Sequence, residues 1–240
     1  MYNSNLYIGF DRDETLELPN LEFDNTIAKQ LRFLQENGAK LFLASGKGCE
    51  FLSEHFKQFN LTFDLICGEN GGHIISEKMN FIKKCEKEHL DFFCKNIYSL
   101  ELPYYENEPK ESIWTGRFFE NALGAARKIQ AFIEFHELDL QVYLHPDAVD
   151  AVDVVPNVID KVNVLEFIPN NAEIHFFGDG ENYLSLMKHD RITPHTISNA
   201  IPAVKECVLA KNGKISMLEA RDGVSELIDK LFLTKEVLCG

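Results

Sequence analysis

Two aspartates stand one residue apart, directly after a short apolar segment. Residues 6–10 lead into Asp11, Arg12, Asp13, Glu14 and Thr15. Side chains at i and i+2 of an extended segment face the same side, and two carboxylates so close repel unless a cation lies between them. Mg²⁺ prefers such hard oxygen ligands. One carboxylate could then attack phosphorus while the other transfers protons, although such a pair is equally typical of a solvated acidic loop.

A hydroxyl and a glycine follow a second apolar segment. Residues 40–44 are followed by Ser45 and Gly46, at the start of a helical pattern. The Ser45 hydroxyl, the Gly46 amide and the positive end of the helix dipole together suit a phosphate oxygen. An ordinary N-cap serine would give the same pattern.

Lys161 and Asp179 are further polar residues at the ends of predicted elements. Lys161 begins a helix, where a lysine is mildly unfavourable unless it binds an anion; a solvated surface lysine is the alternative. Asp179 follows the apolar residues 173–177 and could ligate the same cation, although Gly178-Asp179-Gly180 is also a favourable turn. Because ligands of open α/β sheets bind beyond the carboxyl ends of strands, the clusters together indicate a phosphoryl-transfer site.

Alternating strands and helices are predicted to position these residues. In the first third, strands at 6–10, 40–44 and 64–67 are separated by helices at 26–37 and 51–59. This order is typical of a parallel sheet. After Pro156 the alternation returns, with a helix at 161–167, apolar runs at 173–177, 196–198 and 207–209, and a last helix at 224–231. The sequence predicts an α/β fold, with a Rossmann-like parallel-sheet core and helices on both faces.

The middle of the chain has a different pattern. It reads as a helix at 81–100, a strand at 113–119, a helix at 122–135 and strands at 140–144 and 151–155. The turn residues Pro146 and Asp147 between the last two strands indicate a hairpin. We therefore predict an α+β cap domain at 81–155, inserted into a core domain made of residues 1–80 and 156–240.

Composition argues against several classes of protein. The 240 residues carry a formal charge of −14, which repels polyphosphate backbones, so we expect no nucleic-acid partner. The six cysteines lack C-x-x-C spacing and indicate free thiols in a reducing compartment. No apolar run reaches the ~20 residues of a membrane span, and the N-terminus does not resemble a signal peptide. We expect a cytoplasmic monomer or homodimer that binds a small phosphorylated metabolite and no membrane.

The clusters resemble the motifs of the haloacid dehalogenase-like (HAD) phosphohydrolase superfamily. Residues 11–15 match its D-x-D-x-T first motif, Ser45 the second, Lys161 the third and residues 178–182 most of the fourth. Residues 68–72 look like the E-N-G loop that precedes the cap in the type II branch. The insert lies where C2 caps occur. Its short pattern is similar to the caps of sucrose-phosphate, mannosyl-3-phosphoglycerate and archaeal phosphoglycolate phosphatases.

The resemblance implies a role for each matching residue. Asp11 would attack phosphorus and form an aspartyl-phosphate, and Asp13 would protonate the leaving oxygen and then activate water. The Asp11 carboxylate, the Asp13 backbone carbonyl and Asp179 would hold Mg²⁺. The residues that would bind the phosphoryl oxygens are Ser45, Lys161, Asn182 and, through their backbone amides, Arg12 and Gly46.

Two positions depart from the family pattern. Glu14 stands where many relatives have glycine, which the D-x-D-x-T pattern tolerates. Tyr183 stands where the family usually has a second aspartate, and a phenol supplies no carboxylate at neutral pH. Glu181 is one candidate substitute, and a more weakly held metal is another outcome.

Three cap residues are candidates for contact with the leaving group. Trp114, Arg117 and Tyr104 could face the site, and Arg117 would suit a second anionic group on the substrate. We favour the alternative that Trp114 packs between cap and core and that Arg117 forms a surface ion pair.

Three functional hypotheses follow from these residues. The leading one is a Mg²⁺-dependent phosphatase that hydrolyses a sugar phosphate or a phosphoglycolate-like acid through an aspartyl-phosphate. The others are a phosphomutase on the same scaffold and a non-catalytic binding module with an impaired metal site.

Overall fold

The computed structural model describes residue 2 and residues 5–83, 87–145 and 151–233. These contain twelve strands in two sheets. In chain order the strands are β1 (Leu6–Phe10), β2 (Lys40–Ala44), β3 (Leu65–Gly68), β4 (His73–Ser76), β5 (Met79–Ile82), β6 (Tyr104–Glu108), β7 (Trp114–Phe118), β8 (Leu140–His145), β9 (Ala151–Pro156), β10 (Glu173–Phe177), β11 (Ile192–Thr196) and β12 (Lys214–Ile215).

The larger sheet has the order β12-β11-β10-β1-β2-β3-β4-β5. The six strands from β12 to β3 are parallel, whereas β4 and β5 add an antiparallel edge. The predicted parallel core is therefore confirmed. Because β1, β2 and β10 are neighbours and run the same way, the residues that follow them meet at one edge of the sheet.

Helices cover both faces of this sheet, as predicted. In chain order the α-helices are α1 (Asn25–Glu36), α2 (Cys49–Lys57), α3 (Lys87–Asn96), α4 (Ala122–Phe135), α5 (Leu184–Lys188), α6 (Pro202–Ala210) and α7 (Ala220–Ile228). Of these, α3 and α4 pack on the smaller sheet and the others on the larger one. Successive strand residues point to opposite faces: Leu41 and Leu43 pack with α1, α2 and α7, whereas Phe42 and Ala44 pack with α5 and α6. No helix of the described residues is both long and apolar enough to cross a bilayer.

The smaller sheet forms the cap, with the antiparallel order β6-β7-β9-β8. Helices α3 and α4 supply Phe93, Ala125 and Ile129 to a hydrophobic cluster with Val152 and Val154 of β9. The predicted antiparallel pairing of the strands at 140–144 and 151–155 is confirmed. Their predicted turn residues, Pro146 and Asp147, lie outside the described residues. The limits of the two domains stay a prediction.

The structure differs from the sequence pattern at two places. The helix predicted at 81–100 begins only at Lys87, because residues 79–82 pair with β4 at the edge of the core sheet. The short apolar run at 207–209, to which the sequence pattern gave no helix, belongs to α6. Pro202 stands in the first turn of that helix, where proline is favoured, and its buried side chains recur at helical spacing.

The loop between β3 and β4 touches the segment through which the chain re-enters the core. Gly71, just after β3, adopts a φ of +102°, and a Cβ atom placed there would lie 2.0 Å from the carbonyl oxygen of Asp160. The Asn163 side-chain amide donates to the Gly71 carbonyl at 3.3 Å. Glycine is required at this position for both its left-handed backbone and the close approach.

A buried histidine pair joins β10 to β11. Nδ1 of His175 lies 2.8 Å from Nε2 of His195, and Nδ1 of His195 accepts the Lys214 amide at 3.1 Å. Burial, together with His175 and Lys214, lowers the pKa of His195 to about 3. The folded protein therefore keeps His195 neutral at pH values where the unfolded chain binds a proton.

We expect this pair to make stability depend on pH. The unfolded pKa of histidine is about 6.5, so stability should be full above that pH and fall as pH decreases toward 3. The slope should reach about 1.4 kcal/mol per pH unit for one proton. Urea unfolding at pH 7, 6, 5 and 4 measures it. His195→Gln should flatten the slope and His136→Gln, at an exposed site, should not; equal slopes for the parent and His195→Gln would contradict the assignment.

Candidate active site

Asp11 ends β1 as a buried carboxylate, only 2% exposed. Its Oδ1 accepts the Arg12 amide at 2.6 Å. The Asp13 side chain is 52% exposed, and its Oδ1 lies 2.5 Å from Nη1 of Arg12. The two carboxylates therefore differ in environment: Asp11 is held in one orientation, whereas Asp13 is exposed enough to exchange protons with solvent.

Asp179 follows the neighbouring strand β10 and is buried beside the first motif. Its Oδ1 accepts the Thr15 hydroxyl at 2.8 Å. Burial and then repulsion by Asp179 and Asp13 raise the pKa of Asp11 well above its ordinary value, and burial raises that of Asp179. Two buried, mutually repelling carboxylates are a donor set that a divalent cation would stabilise.

The side chains alone do not complete a metal site. Within the described ranges, no three histidine, cysteine, aspartate or glutamate side chains converge as metal ligands. The predicted set has only two such side chains, Asp11 and Asp179, because its third member is the backbone carbonyl of Asp13.

Tyr183 contacts both the nucleophile candidate and the buried lysine. Its hydroxyl donates a hydrogen bond to Oδ1 of Asp11, and the centroid of its ring lies 3.8 Å from Nζ of Lys161. Burial and the charge of Asp11 raise the pKa of the phenol well above its ordinary value, so it stays a donor. Tyrosine thus provides a hydroxyl and a cation–π contact at the position where the fourth motif that this segment resembles usually has a carboxylate. Glu181 lies exposed on the cleft surface.

Lys161 is a buried cation, 2% exposed. It begins a 3₁₀ helix at Lys161–Phe167 that is capped by Asp160, whose carboxylate accepts the Val162 amide at 2.8 Å. Nζ of Lys161 lies 3.4 Å from the carbonyl oxygen of Asn182. Burial lowers its pKa to about 8, although the charge of Asp11 opposes this shift. The surface-lysine alternative is therefore wrong.

Ser45 and Gly46 follow β2, which lies beside β1 on the side opposite to β10. Ser45 is 1% exposed, and its Oγ accepts the Lys47 amide at 3.2 Å. It does not cap α2, whose N-cap is Gly48 without a side-chain bond. The alternative of an ordinary N-cap is therefore wrong.

A cleft of about 1300 Å³ lies between this edge of the core sheet and the cap. The predicted site residues on its core side are Asp11, Arg12, Asp13, Ser45, Gly46, Asp179 and Asn182. Lys161 lies beneath this surface, in contact with Tyr183, which does line the cleft. The structure thus brings residues from four separate sequence motifs to one place.

The cap side of the cleft is rich in charged groups. Nε of Arg117 donates to Oε1 of Glu108 at 2.6 Å. Nζ of Lys110 lies 3.3 Å from Oε2 of Glu108 and donates to the Gly46 carbonyl at 2.9 Å. Burial acts to raise the pKa of Glu108, but Lys110 and Arg117 hold that pKa below its ordinary value. Arg117 thus lines the cleft as part of an ion pair.

Trp114 is placed elsewhere than predicted. It is 5% exposed and lies in the hydrophobic core of the cap, 5.4 Å from Phe93 between ring centroids. It neither packs between cap and core nor lines the cleft, since alternate residues of β7 face opposite sides of the sheet. This placement does not support the predicted substrate contact. The Tyr104 side chain lies outside the described part of the chain.

Sequence reasoning gave no role to Lys47, which also lines the cleft. Burial lowers its pKa, while the charge of Asp13 acts to raise it. Its position directly after Ser45 and Gly46 was the available signal. Lys110, Glu108 and Asp153 were missed as well, because their spacing carries no motif.

The E-N-G loop holds the cap against the core. The Glu69 carboxylate, 2% exposed, accepts the amides of Glu111 and Ser112 at 3.0 and 2.7 Å and the Ser112 hydroxyl at 2.6 Å. Asn70 donates to Oδ2 of Asp153 at 3.2 Å. One buried carboxylate therefore satisfies three donors of the connection between β6 and β7.

We expect Glu69→Gln to lower the free energy of unfolding by about 2–3 kcal/mol, since hydrogen bonds to a charged acceptor are lost and an amide group would face donors. Urea unfolding followed by circular dichroism measures the loss. Glu77→Gln, at an exposed position, is the control and should change it by less than about 0.5 kcal/mol. Equal effects of the two substitutions would contradict the importance of this anchor.

Comparisons with known proteins agree with this arrangement. Residues 8–108 match a family model described as haloacid dehalogenase-like hydrolase. A curated relative, a phosphomannomutase of Triticum aestivum, is 24% identical over an alignment of 231 residues. The match covers 82% of this chain and 92% of the relative.

Solved structures share the fold at low sequence identity. A haloacid dehalogenase-like hydrolase from Bacteroides thetaiotaomicron superposes with a TM-score of 0.76 and 20% identity, over 95% of this chain and 99% of the other. The sucrose-phosphatase of Synechocystis sp. PCC6803, solved with sucrose and phosphate, gives 0.65 and 13%, over 94% and 97%. The family match over residues 8–108, the shared fold and the four motifs in one cleft all point to the same similarity, with haloacid dehalogenase-like hydrolases.

Proposed function

We propose that this protein is a Mg²⁺-dependent phosphatase of a small phosphorylated metabolite. The observation that carries the proposal is the position of Asp11: buried at the carboxyl end of β1, hydrogen-bonded in one orientation, and facing a cleft shared by Ser45 and Asp179 with the Lys161 ammonium group nearby. Phosphoryl transfer requires such positioning together with neutralisation of charge on the phosphoryl oxygens.

The reaction proceeds in two displacements in this proposal. A carboxylate oxygen of Asp11 attacks phosphorus, the bond to the leaving oxygen breaks, and Asp13 gives that oxygen its proton. Asp13 then takes a proton from water, which attacks the phosphorus of the aspartyl-phosphate. Inorganic phosphate leaves and the Asp11 carboxylate is restored. The half-exposed Asp13 suits this exchange of protons, whereas the buried Asp11 suits nucleophilic attack.

Asp11, Asp179 and the Asp13 carbonyl would hold the Mg²⁺, which supplies positive charge beside the phosphoryl group. The repulsion between the two buried carboxylates supports this assignment. The proposed ligands of the phosphoryl oxygens are the backbone amides of Arg12 and Gly46, together with Ser45, Lys161 and Asn182.

Release of inorganic phosphate tests the proposal directly. The purified protein is incubated with p-nitrophenyl phosphate and with a panel of sugar phosphates and phosphorylated acids, with Mg²⁺ or with EDTA. We expect Mg²⁺-dependent release that EDTA stops. No release from any compound at saturating Mg²⁺ would argue strongly against a phosphatase.

A phosphomutase is the second candidate, favoured by the similarity to a phosphomannomutase. A mutase returns the phosphoryl group to another oxygen of the sugar and loses little to water. Product analysis by ³¹P NMR separates the two reactions: an isomeric sugar phosphate indicates a mutase, and free phosphate indicates a phosphatase.

A binding module with an impaired metal site is the third candidate, because Tyr183 donates to Asp11 where an acid is usual. Tyr183→Asp tests it. A rate that rises at least about tenfold would show that the natural site is impaired, whereas a lower rate would show that the tyrosine belongs to a working site.

A further inference from the structure

Three cations meet on one side of the cleft. Lys110 and Arg117 come from the cap, and Lys47 comes from the core loop after β2. Two carboxylates, Glu108 and Asp153, face them on the cleft surface. Together with Asp13, whose charge also acts on Lys47, these carboxylates balance the three cations. This part of the cleft is therefore less negative than the chain as a whole, whose formal charge is −14, and it favours the approach of an anion.

Lys110 is fully engaged with the protein. Its side chain is 4% exposed, and Nζ donates to the Thr115 hydroxyl at 2.7 Å and to the Gly46 carbonyl at 2.9 Å, with Glu108 and Asp153 at 3.3 and 3.7 Å. An ammonium group has three donors. We therefore assign Lys110 a structural role between cap and core.

Arg117 is only partly engaged. Glu108 contacts its Nε and Nη2 atoms through a single oxygen, Oε1. A guanidinium group carries five N–H donors in a rigid fork, and this contact fixes the fork beside the cleft while Nη1 stays outside the pair. An anion-binding arginine needs such a fixed orientation.

Lys47 is the cation whose charge the protein does not neutralise by contact. The charged groups around it are Asp13, Arg117, Glu108 and Lys110. Among the residues that the structure describes, no carboxylate lies within 4.0 Å of its ammonium group. Its side chain is partly buried in the cleft, so this charge is screened less than one on the open surface.

We propose that Lys47 and Arg117 together bind a second anionic group of the substrate, a carboxylate or a phosphate, while its phosphate ester faces Asp11. The inference rests on the proposed function. Arg117, Glu108 and Lys110 of the cap are among the charged groups that act on Lys47, so a substrate group that reaches both Lys47 and Arg117 lies on the leaving-group side of the cleft. A cleft of about 1300 Å³ also leaves room for more than one phosphate group. The substrate class is thus a phosphorylated metabolite that carries a second anionic group.

Three phosphate esters test the inference. 3-Phosphoglycerate and glycerol 3-phosphate differ by a carboxylate in place of a hydroxymethyl group, and propane-1,3-diol bisphosphate carries a phosphate as the second anion. We expect kcat/KM of the parent to be at least about tenfold higher for 3-phosphoglycerate or for propane-1,3-diol bisphosphate than for glycerol 3-phosphate, since a charge-assisted contact contributes that much. The ester that is preferred tells a carboxylate subsite from a phosphate subsite.

Lys47→Met should remove the preference. Its loss of kcat/KM on the preferred ester should exceed its loss on glycerol 3-phosphate by at least about tenfold, whereas Lys47→Arg should keep most of the preference. Lys57→Met, on the exposed end of α2, is the matched control and should change neither value. If Lys47→Met does not fold, Lys47→Gln replaces it.

Two results would overturn the inference. One is a parent that prefers neither of the two esters with a second anionic group over glycerol 3-phosphate. The other is an equal loss on all esters in Lys47→Met, which would assign Lys47 to the transferring phosphoryl group. Both leave the proposed function intact as long as p-nitrophenyl phosphate is hydrolysed. If nothing is hydrolysed, calorimetric binding of the three esters to Asp11→Asn with and without Lys47→Met decides the inference separately.

Discussion

Replacing Asp11 by asparagine is expected to lower kcat for phosphate release by at least about 10³-fold, because a carboxamide is a poor nucleophile and cannot form the aspartyl-phosphate. The fold should be retained. The asparagine oxygen can still accept the Arg12 amide and the Tyr183 hydroxyl, and the repulsion from Asp179 and Asp13 disappears. We therefore expect Tm to stay equal or to rise.

Two measurements check this result. Initial rates with p-nitrophenyl phosphate and Mg²⁺ give the loss of activity. Intact mass after a rapid acid quench gives the covalent intermediate, which should appear in the parent, be absent from Asp11→Asn and be removed by hydroxylamine. Asp190→Asn, at an exposed position, controls for the loss of one carboxylate. Turnover of Asp11→Asn within about tenfold of the parent would exclude Asp11 as the nucleophile.

Lys161→Met should have the second-largest effect, a loss of about 10²–10³-fold in kcat/KM, the size found when one preorganised charge-stabilising donor is removed. Methionine has a similar length and can occupy the same buried space against the Tyr183 ring. Removing a cation that is 2% exposed removes the cost of burying it, but it also leaves the buried Asp11 without an opposing charge. We therefore expect the loss of activity to exceed any change that stability alone could cause.

The control for Lys161→Met is Lys83→Met. Lys83 also lies near the 3₁₀ helix, where its Nζ contacts Asn163 at 2.9 Å and Glu166 at 3.1 Å, but it is not part of the cleft. It should change kcat/KM by less than about threefold. Steady-state kinetics and thermal unfolding of both variants decide the matter. A Lys161→Met protein with nearly full activity would show that the ammonium group does not reach the phosphoryl group.

Apolar runs and the polar residues at their ends predicted most of the core. β1, β2 and β10 begin and end as predicted, since each is a short run buried on both faces. The pattern failed where strands are not so buried. β5 lies at the sheet edge, and its residues are mostly half exposed, so no continuous apolar run marked it. The helical residues 207–209 were not assigned to a helix because three apolar residues fit either element.

Local spacing could predict the core side of the site but not its cap side. Asp11, Ser45, Lys161 and Asp179 each follow or begin an element, so sequence order placed them at one edge of the sheet. The orientation of Trp114 depends on the face of β7 that packs on α3, which sequence spacing does not reveal. The contact of Tyr183 with Asp11 spans 172 positions in the chain and follows only from the packing of the fold.

The contact at Gly71 joins the cap to the chemistry by a short path. Glu69, two residues earlier, accepts the Ser112 amide of the cap, and Gly71 lies against the Asp160 carbonyl, which directly precedes Lys161. The same short loop therefore contacts the cap through Glu69 and, through Gly71, the backbone that carries the buried ammonium group. A substitution that displaced this loop would disturb both contacts, so the attachment of the cap and the placement of the cation depend on one stretch of three residues.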